Sequence, residues 1–328
     1  MSGQGLGAGV RSDLGMAGRS GAPVRAWIAF LAGLALAIVS SAAWAKPTPT
    51  WLTLPPPPPL PTPASQGYVE HDDARIWYAT FGTGPPVILL HGGDGSSDDW
   101  GFQVPALIAH GYQVVAIDSR GQGRSTRDAR PLHYTQMAAD VLAVMDTLGV
   151  RKAALVGWSD GAIVALILAM KHPDRVSRVF AFGANMDLRG LRIVGVFAPI
   201  LPRVRALLRA DYERVSPTPH DFGGMFRWVL AMQMREPHYT ARDLASIRVP
   251  VLIADGDHEE LIHRSHTQYL ARAIPGAGLL LLKGVGHFAP LQDPDAFNAA
   301  VLDFLDKAVR ANRDPGERPV SPHPTPGG

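Results

Sequence analysis

The sequence predicts an α/β fold in which helices cover both faces of a mainly parallel β-sheet. Short, almost continuous apolar runs alternate along the chain with segments of helical pattern, which is typical of buried parallel strands joined by helices. With 328 residues, of which 46% are hydrophobic and 18% charged, the chain can bury one large core. We therefore expect one principal domain, at residues 66–309.

The predicted strands follow one another in a regular order. An antiparallel hairpin, residues 68–70 and 75–81, leads the domain, and six further apolar runs come after it. Those runs are residues 87–90, 114–118, 153–156, 179–182, 251–254 and 279–282. Because the carboxyl ends of parallel strands meet at one edge of a sheet, we expect functional side chains in the loops that follow these strands.

One long insertion interrupts this alternation. Roughly 60 residues, from about 187 to 247, separate two predicted strands, and such a segment usually has structure and function of its own. It contains Met225, Phe226, Trp228 and Met232 at helical spacing. These side chains either line a substrate pocket or form the core of the insertion itself.

The chain begins with a pattern that is typical of a targeting segment. Three arginines precede a charge-free stretch at residues 26–45, which ends in the A-x-A pattern Ala43-Trp44-Ala45. Residues 1–45 are therefore predicted to be a signal peptide that exports the protein to the periplasm or the medium. The alternative is an uncleaved membrane anchor, because twenty uncharged residues can span a bilayer.

Both flanks of the domain have the composition of linkers. Residues 46–65 contain five consecutive prolines, which favour an extended polyproline II spacer over a partner-binding segment. Residues 310–328 are rich in proline, glycine and charge, and we expect them to form a disordered tail.

The strongest chemical signal is Gly157-Trp158-Ser159-Asp160-Gly161, which has the form G-x-S-x-G between an apolar strand and an apolar helix. A strand, a sharp turn with one serine, and a helix make up a nucleophile elbow. Glycines are needed on both sides, since a β-carbon there would collide with the neighbouring strand and helix. The helix N-terminus favours negative charge that develops on a substrate, so Ser159 is the predicted nucleophile.

A serine nucleophile requires a histidine to take its proton and a carboxylate to hold that histidine. In this architecture the acid and then the histidine follow the serine along the chain. His287 fits the base, because it lies in a glycine-containing loop after the last predicted strand. Asp255, Asp257 and Glu259 all follow the preceding strand, and the residues alone do not choose the acid among them.

Five motifs, in this order, resemble the α/β-hydrolase family over residues 67–309. They are Leu89-Leu90-His91-Gly92-Gly93, residues 118–125, the elbow, the loop at Gly256, and Gly286-His287. The resemblance implies a mostly parallel eight-stranded sheet with a small helical cap formed by the insertion. It also implies a serine–acid–histidine triad, and an oxyanion hole made by the backbone amides of Gly93 and Asp160, with His91 supporting the loop.

The same resemblance bears on the choice of the acid. In that family the acid usually stands three residues after the loop glycine, as an aspartate, whereas this chain has Glu259 there. Glutamate carries the same charge on a side chain one methylene longer and also serves in such triads. The resemblance thus favours Glu259, with Asp257 as the runner-up and Asp255 behind it.

The elbow is similar to that of the biphenyl-hydrolase-like branch, which includes valacyclovir hydrolase. The likeness extends through Lys171-His172-Pro173 and Phe182-Gly183-Ala184-Asn185. It implies cleavage of amino-acid esters, with Asp160 as the partner of the substrate's amino group. The alternative is that Asp160 supplies only its amide to the oxyanion and helps the helix to begin.

Residue types disfavour several other classes. Epoxide hydrolases and haloalkane dehalogenases, which resemble this fold, carry aspartate where this chain has Ser159. His258, His263 and His266 miss the H-E-x-x-H spacing, cysteine is absent, and no phosphate-binding loop stands in place, so we expect no metal and no cofactor. A net charge of +2 gives no reason to expect nucleic acid.

The sequence therefore predicts a cofactor-free serine hydrolase that cleaves a carboxylic ester of a small molecule. An aminopeptidase or amide hydrolase is the near alternative, and a cofactor-free perhydrolase comes next. The alternative from a different class is a non-catalytic binding protein on a hydrolase scaffold.

Overall fold

Eight β-strands form one sheet in the computed structural model, which describes residues 47–313. Every predicted run is a strand, although β1 and β6 each begin three residues before the predicted start. The strands are β1 Ser65–His71, β2 Ala74–Phe81, β3 Pro86–Leu90, β4 Gln113–Ile117, β5 Ala153–Trp158, β6 Val176–Phe182, β7 Val251–Gly256 and β8 Gly278–Leu282.

The spatial order of the strands is β1-β2-β4-β3-β5-β6-β7-β8. β2 pairs in antiparallel fashion with β1 and with β4, whereas every pairing from β4 across to β8 is parallel. The predicted α/β-hydrolase fold with a mostly parallel sheet is thus confirmed. The carboxyl ends of β3, β5, β7 and β8 meet at one edge of the sheet.

Helices cover both faces of this sheet. They are α1 Gln103–Ala109, α2 Tyr134–Thr147, α3 Asp160–Lys171, α4 Leu201–Val215, α5 Phe222–Gln233, α6 Ala241–Leu244, α7 Arg264–Ala273, α8 Ala289–Gln292 and α9 Pro294–Arg313. On β3, Val87 and Leu89 belong to the core under α1 and α9, while Ile88 and Leu90 belong to the core under α2 and α3. Successive residues of a strand face opposite sides, so a strand that is buried on both sides is apolar throughout.

The insertion between β6 and β7 is helical, as the sequence predicts. It consists mainly of α4 and α5, with short 3-10 helices at Leu188–Gly190, Ile193–Phe197 and Pro219–Asp221. Val204 of α4 belongs to one of the two cores and Val229 of α5 to the other. The insertion is therefore packed onto the domain through both of its long helices.

The proline-rich segment differs from the predicted spacer. From Pro49 onward the chain belongs to the same compact unit as the sheet. Leu54 and Leu60 are half-buried against the core under α1 and α9, and the Pro58 carbonyl lies so close to Gly101 that a β-carbon there would be only 1.8 Å away. The leucines on either side of the proline run give this extended segment apolar anchors, which a free spacer lacks.

The other predictions for the chain ends fall largely beyond the described part. The predicted signal peptide or anchor at residues 1–45 lies outside the described residues, as does the predicted tail beyond Arg313. The first four residues of that tail, 310–313, are the end of α9. None of the helices between residues 47 and 313 combines the length and the hydropathy that a transmembrane span requires.

Candidate active site

Ser159 occupies the single residue between β5 and α3. Its φ of +55° lies in the left-handed region, which residues other than glycine rarely adopt. The strain is held in place because the Ser159 amide donates to the Phe182 carbonyl of β6 at 2.8 Å. The predicted strand–turn–helix geometry of the elbow is therefore present, and its serine lines the largely apolar cavity described below.

The glycines that flank the serine are required by close backbone approaches. A β-carbon on Gly157 would lie 2.4 Å from the Gly161 carbonyl oxygen and 2.6 Å from Ala162 at the start of α3. One on Gly161 would lie 2.0 Å from the Leu90 carbonyl oxygen at the end of β3. Only glycine fits where the strand and the helix are this close, as the sequence pattern predicts.

The Glu259 carboxylate and the His287 imidazole form a buried pair. His287 Nδ1 lies 2.9 Å from both Oε1 and Oε2 of Glu259, and the two side chains are only 3% and 4% exposed. An ionised Glu259 fixes the tautomer in which Nδ1–H donates, which leaves Nε2 free to accept a proton. Since Ser159 and His287 line the same cavity, this pair and the serine share one site.

The other two candidate acids lie elsewhere in the loop. Asp257 Oδ1 accepts from the Gly284 amide at 2.8 Å, and Asp255 Oδ2 accepts from the Thr267 hydroxyl at 2.6 Å. Among the described contacts of His287, Glu259 is the carboxylate that bonds the imidazole ring. Glu259 Oε1 also accepts from the amides of Leu261 and Ile262, which hold it in this orientation.

Burial dominates the electrostatics of the pair. It raises the pKa of Glu259 to about 7 and lowers the pKa of His287, because each charged form loses hydration. Burial and the neighbouring Glu259 also raise the pKa of Asp255 well above its usual range. The rise favours the protonated form of Asp255, which lessens the charge repulsion between Asp255 and Glu259.

Two further side chains hold the backbone of His287. Glu260 Oε2 accepts from the His287 amide at 2.8 Å, and Trp158 Nε1 donates to the His287 carbonyl at 2.7 Å. Sequence reasoning gave neither residue a role. The signals were present, since Glu260 follows the predicted acid and Trp158 precedes the predicted nucleophile, but neither position reveals a bond to a loop that is distant in sequence.

The loop after β3 places a backbone amide beside the elbow. A β-carbon on Gly93 would lie 2.5 Å from Gln233 Nε2 and 2.6 Å from Asp160 Oδ2, so the loop passes close to the residue that follows Ser159. Within residues 47–313, no acceptor bonds the amides of Gly93 or Asp160, the two predicted oxyanion donors. Both residues line the cavity and remain available to an oxyanion.

His91 supports this loop, as the sequence predicts. Its Nε2 accepts from the Ser119 amide at 2.9 Å, which leaves Nδ1–H to donate to the Gly92 carbonyl at 2.7 Å. The imidazole is buried, and burial lowers its pKa. Because both ring nitrogens form hydrogen bonds with backbone groups, the imidazole is positioned to shape the loop rather than to transfer protons.

The Asp160 side chain ties the insertion to the sheet domain. Tyr134, the first residue of α2, donates its hydroxyl to Asp160 Oδ1 at 2.8 Å, and Gln233, the last residue of α5, donates to Oδ2 at 3.0 Å. Burial raises the pKa of Asp160, while these two bonds oppose the rise. The structure shows no capping bond from the Ser159 side chain, so α3 begins without one.

A second carboxyl, that of Asp94, lines the cavity near Asp160. Its Oδ1 atom is buried and has no hydrogen-bond partner among the described residues. Burial and the charge of Asp160 raise the pKa of Asp94 to about 8. The sequence did not single out this residue, because only the fold brings the loop after β3 against the elbow.

These groups open into a cavity of about 350 Å³. Most of its walls are apolar, and the insertion contributes Leu201, Val204, Leu208, Phe222, Phe226 and Leu230. Of the four insertion residues considered from the sequence, Phe226 lines the cavity. Met225 and Met232 are buried in the core, and the Arg127 guanidinium lies 4.3 Å from the centre of the Trp228 ring.

The three neighbouring histidines do not converge on a ligand. The His258 ring stacks on Trp51 with centroids 3.6 Å apart, and His266 Nε2 accepts from the Met186 amide at 3.1 Å. His263 stands at the start of α7. Over residues 47–313 no group of three or more histidine or carboxylate side chains is arranged to hold a metal ion.

Comparisons with known proteins agree with this architecture. A family model described as the alpha/beta hydrolase fold matches residues 85–216. RutD of Caulobacter sp. (strain K31), named as a carbamate hydrolase, is 31% identical over 247 residues, which are 67% of this chain and 90% of that protein. Human serine hydrolase BPHL is 30% identical over 237 residues, 67% of this chain and 78% of BPHL.

Solved structures show the same fold. Est816, described as an N-acyl homoserine lactone degrading enzyme, superposes with a TM-score of 0.60 at 28% identity, covering 73% of this chain and all of that chain. A hydrolase from Pseudomonas aeruginosa PA01 has the same TM-score at 26% identity, covering 74% of this chain and 98% of its own. Each likeness thus covers about three quarters of this chain.

Proposed function

Since the chain belongs to the α/β-hydrolase fold family, we propose that it is a serine hydrolase that cleaves carboxylic esters through an acyl-enzyme. The observation that carries this proposal is the buried pair of His287 and Glu259, which shares one cavity with the strained Ser159. A serine, a histidine and a carboxylate in this order and arrangement are the parts that acyl transfer requires.

The first half of the proposed reaction forms the acyl-enzyme. Ser159 Oγ attacks the ester carbonyl carbon while its proton moves to His287 Nε2, and the carbonyl oxygen becomes an oxyanion. The bond between carbon and the leaving alkoxide then breaks, and the imidazolium gives its proton to that alkoxide. Glu259 stabilises the imidazolium in between and keeps Nδ1 protonated throughout.

The second half repeats these steps with water. His287 Nε2 takes a proton from a water molecule, which attacks the acyl carbon, and the same nitrogen returns a proton to Ser159 as the acid leaves. In both halves the amides of Gly93 and Asp160 donate to the oxyanion. Removing one such donor typically costs about 3 kcal/mol of transition-state stabilisation.

The walls of the cavity and the relatives support an ester with an apolar acyl part. The side chains around Ser159 that come from the insertion are aliphatic or aromatic and would receive a hydrocarbon group. Est816 is described as degrading a lactone, which is a cyclic ester, and RutD is named for carbamates, whose carbonyl carbon bears one nitrogen and one oxygen. An ester shares with both the carbonyl carbon that carries an oxygen substituent.

A narrower substrate class, amino-acid esters, is supported by the buried Asp94 carboxyl. Its unpartnered Oδ1 atom and the nearby Asp160 would receive the ammonium group of such an ester, and the cation would favour the ionised form of Asp94. The test compares the p-nitrophenyl esters of valine and of 3-methylbutanoic acid, which differ only in the amino group. A preference for valine of about tenfold should disappear in Asp94→Asn, and equal rates in the unchanged protein would exclude this class.

The general proposal is tested with a panel of p-nitrophenyl esters from acetyl to octanoyl. We expect the protein to turn over several of them, and Ser159→Ala to lose at least about 10³-fold in kcat. Ser246→Ala serves as the matched control, because that hydroxyl is exposed and donates to the Asp243 carbonyl. If the folded protein hydrolyses none of the esters, or Ser159→Ala retains its rate, the alternative of a non-catalytic binding protein gains support.

A further inference from the structure

The segment before β1 contacts three elements around the candidate active site. The Trp51 ring stacks on His258, which directly precedes Glu259, at 3.6 Å and 10°. Its carbonyl accepts from Gln292 of α8 at 2.9 Å, and the Leu52 carbonyl accepts from Arg203 of α4 at 3.1 Å. Residues 51 and 52 thus touch the acid loop, the helix after the base and the insertion at the same time.

The next part of the segment reaches the cavity itself. Leu54 lines the same cavity as Ser159 and His287, and it packs on the core that contains Phe288 and Leu291. Residues 55–63 then run past Gly101 and along Trp77 to the start of β1. The prolines fix φ and lose little conformational entropy on folding, so the segment can hold Leu54 in place at low cost.

From these contacts we propose that residues 49–63, which we name the proline strap, hold Leu54 in the wall of the substrate cavity, and that Leu54 limits the length of the acyl group. The effect on ester hydrolysis rests on the proposed hydrolase function, whereas the place of Leu54 in the cavity does not. The strap would be a specificity element supplied from outside the sheet and the insertion. An acyl chain that extends from Ser159 across the apolar lining would meet the Leu54 side chain.

Two substitutions of opposite size test the wall in the full-length chain. Leu54→Ala should raise the ratio of kcat/KM for octanoyl over acetyl p-nitrophenyl ester by about tenfold, and Leu54→Trp should lower it by a similar factor. Both effects should appear mainly in KM for the octanoyl ester, and the acetyl ester should change less than the octanoyl ester. A change in folding alone would shift both esters together.

Leu60→Ala is the matched control. Leu60 belongs to the same strap and packs half-buried on the same core, but it lies along the surface groove beside Trp77 rather than in the active-site cavity. We expect its ester ratio to stay within about twofold of the unchanged protein. An effect of Leu60→Ala equal to that of Leu54→Ala would overturn the inference, because the strap would then act through stability and not through contact.

A binding measurement separates this inference from the proposed reaction. Calorimetric titration of Ser159→Ala with octanoate and acetate reports the cavity without any turnover. If no ester is hydrolysed but Leu54→Trp, added to Ser159→Ala, weakens octanoate binding about tenfold, the proposed function fails and the wall stands. If esters are hydrolysed but neither Leu54 variant changes the ester ratio or octanoate binding, the wall is wrong and the proposed function stands.

Discussion

Replacing Glu259 by glutamine is the sharpest test of how the histidine is held. In the structure both carboxylate oxygens lie 2.9 Å from His287 Nδ1, and Oε1 also accepts from the amides of Leu261 and Ile262. A glutamine keeps its oxygen for those two amides and therefore turns its NH₂ group toward Nδ1. Two donors cannot face each other, so the imidazole is forced to the tautomer whose Nε2 is protonated.

A histidine with a protonated Nε2 cannot take the proton of Ser159. The corresponding change of a triad acid to its amide lowers kcat by about 10⁴, which equals about 5 kcal/mol of activation free energy. We therefore expect Glu259→Gln to lower kcat by about 10⁴ and to leave KM within a few-fold. Stopped-flow acylation with a p-nitrophenyl ester measures this directly, and circular dichroism shows whether the variant is folded.

Asp257→Asn is the matched control for this substitution. Asp257 stands two residues away in the same loop and bonds the Gly284 amide instead of the imidazole. We expect kcat of Asp257→Asn to stay within about threefold of the unchanged protein. A rate for Glu259→Gln within tenfold of the unchanged protein would refute the reasoning, and so would a loss in Asp257→Asn as large as that in Glu259→Gln.

Three further outcomes follow from the geometry. Burial raises the pKa of Glu259 to about 7 and lowers the pKa of His287, so the pair gains one proton on acidification. As the pH is lowered, kcat/KM should therefore decrease with a midpoint of about 7, which belongs to the pair. A flat profile from pH 5 to 8 would contradict this. Gly93→Ala places a β-carbon 2.6 Å from Asp160 Oδ2, a carboxylate that Tyr134 and Gln233 hold, so the loop and its amide must shift. This should lower kcat by up to about 10²-fold, whereas Gly67→Ala, with only ordinary contacts, should not. Trp158→Phe removes the donor to the His287 carbonyl, and thermal unfolding should show that the free energy of unfolding falls by about 1–3 kcal/mol. An unchanged Tm would argue against that bond.

The sheet and the elbow could be predicted from sequence because their signals are local. A strand that is buried on both faces must be apolar along its whole length, so each strand appears as one run. Gly157 and Gly161 are required by atoms within a few residues of the turn, or at the end of the adjacent strand. The turn that carries Ser159 therefore has a signature that can be recognised without knowledge of the rest of the fold.

From the residues alone, the predicted triad acid could be narrowed to three candidates, but none of the three could be preferred. Asp255, Asp257 and Glu259 alternate along one loop, and each side chain leaves the backbone in a different direction. The bonds to the Thr267 hydroxyl, the Gly284 amide and the His287 ring separate them, and all three partners come from other parts of the chain. Only the resemblance to a family favoured Glu259 in advance.

Leu54 and Gln233 could not have been found from the sequence. Leu54 stands beside five prolines that by themselves indicate an extended spacer, and only packing against the core reveals its place in the cavity. Gln233 reaches Asp160 across 73 residues of sequence at the end of an insertion helix. Contacts of this kind depend on how the insertion and the strap lie on the sheet domain, which no local pattern encodes.

The most direct test of the central claim is the position of a covalent adduct. The protein is treated with a fluorophosphonate, digested with trypsin and examined by mass spectrometry for the peptide 153–171, in which Ser159 carries the only hydroxyl group. We predict that the adduct mass appears on this peptide, that Ser159→Ala abolishes it, and that a hydrolysed ester present in excess during the treatment slows its formation. A folded protein that gives no adduct there, or that is modified elsewhere at the same rate, would contradict the account.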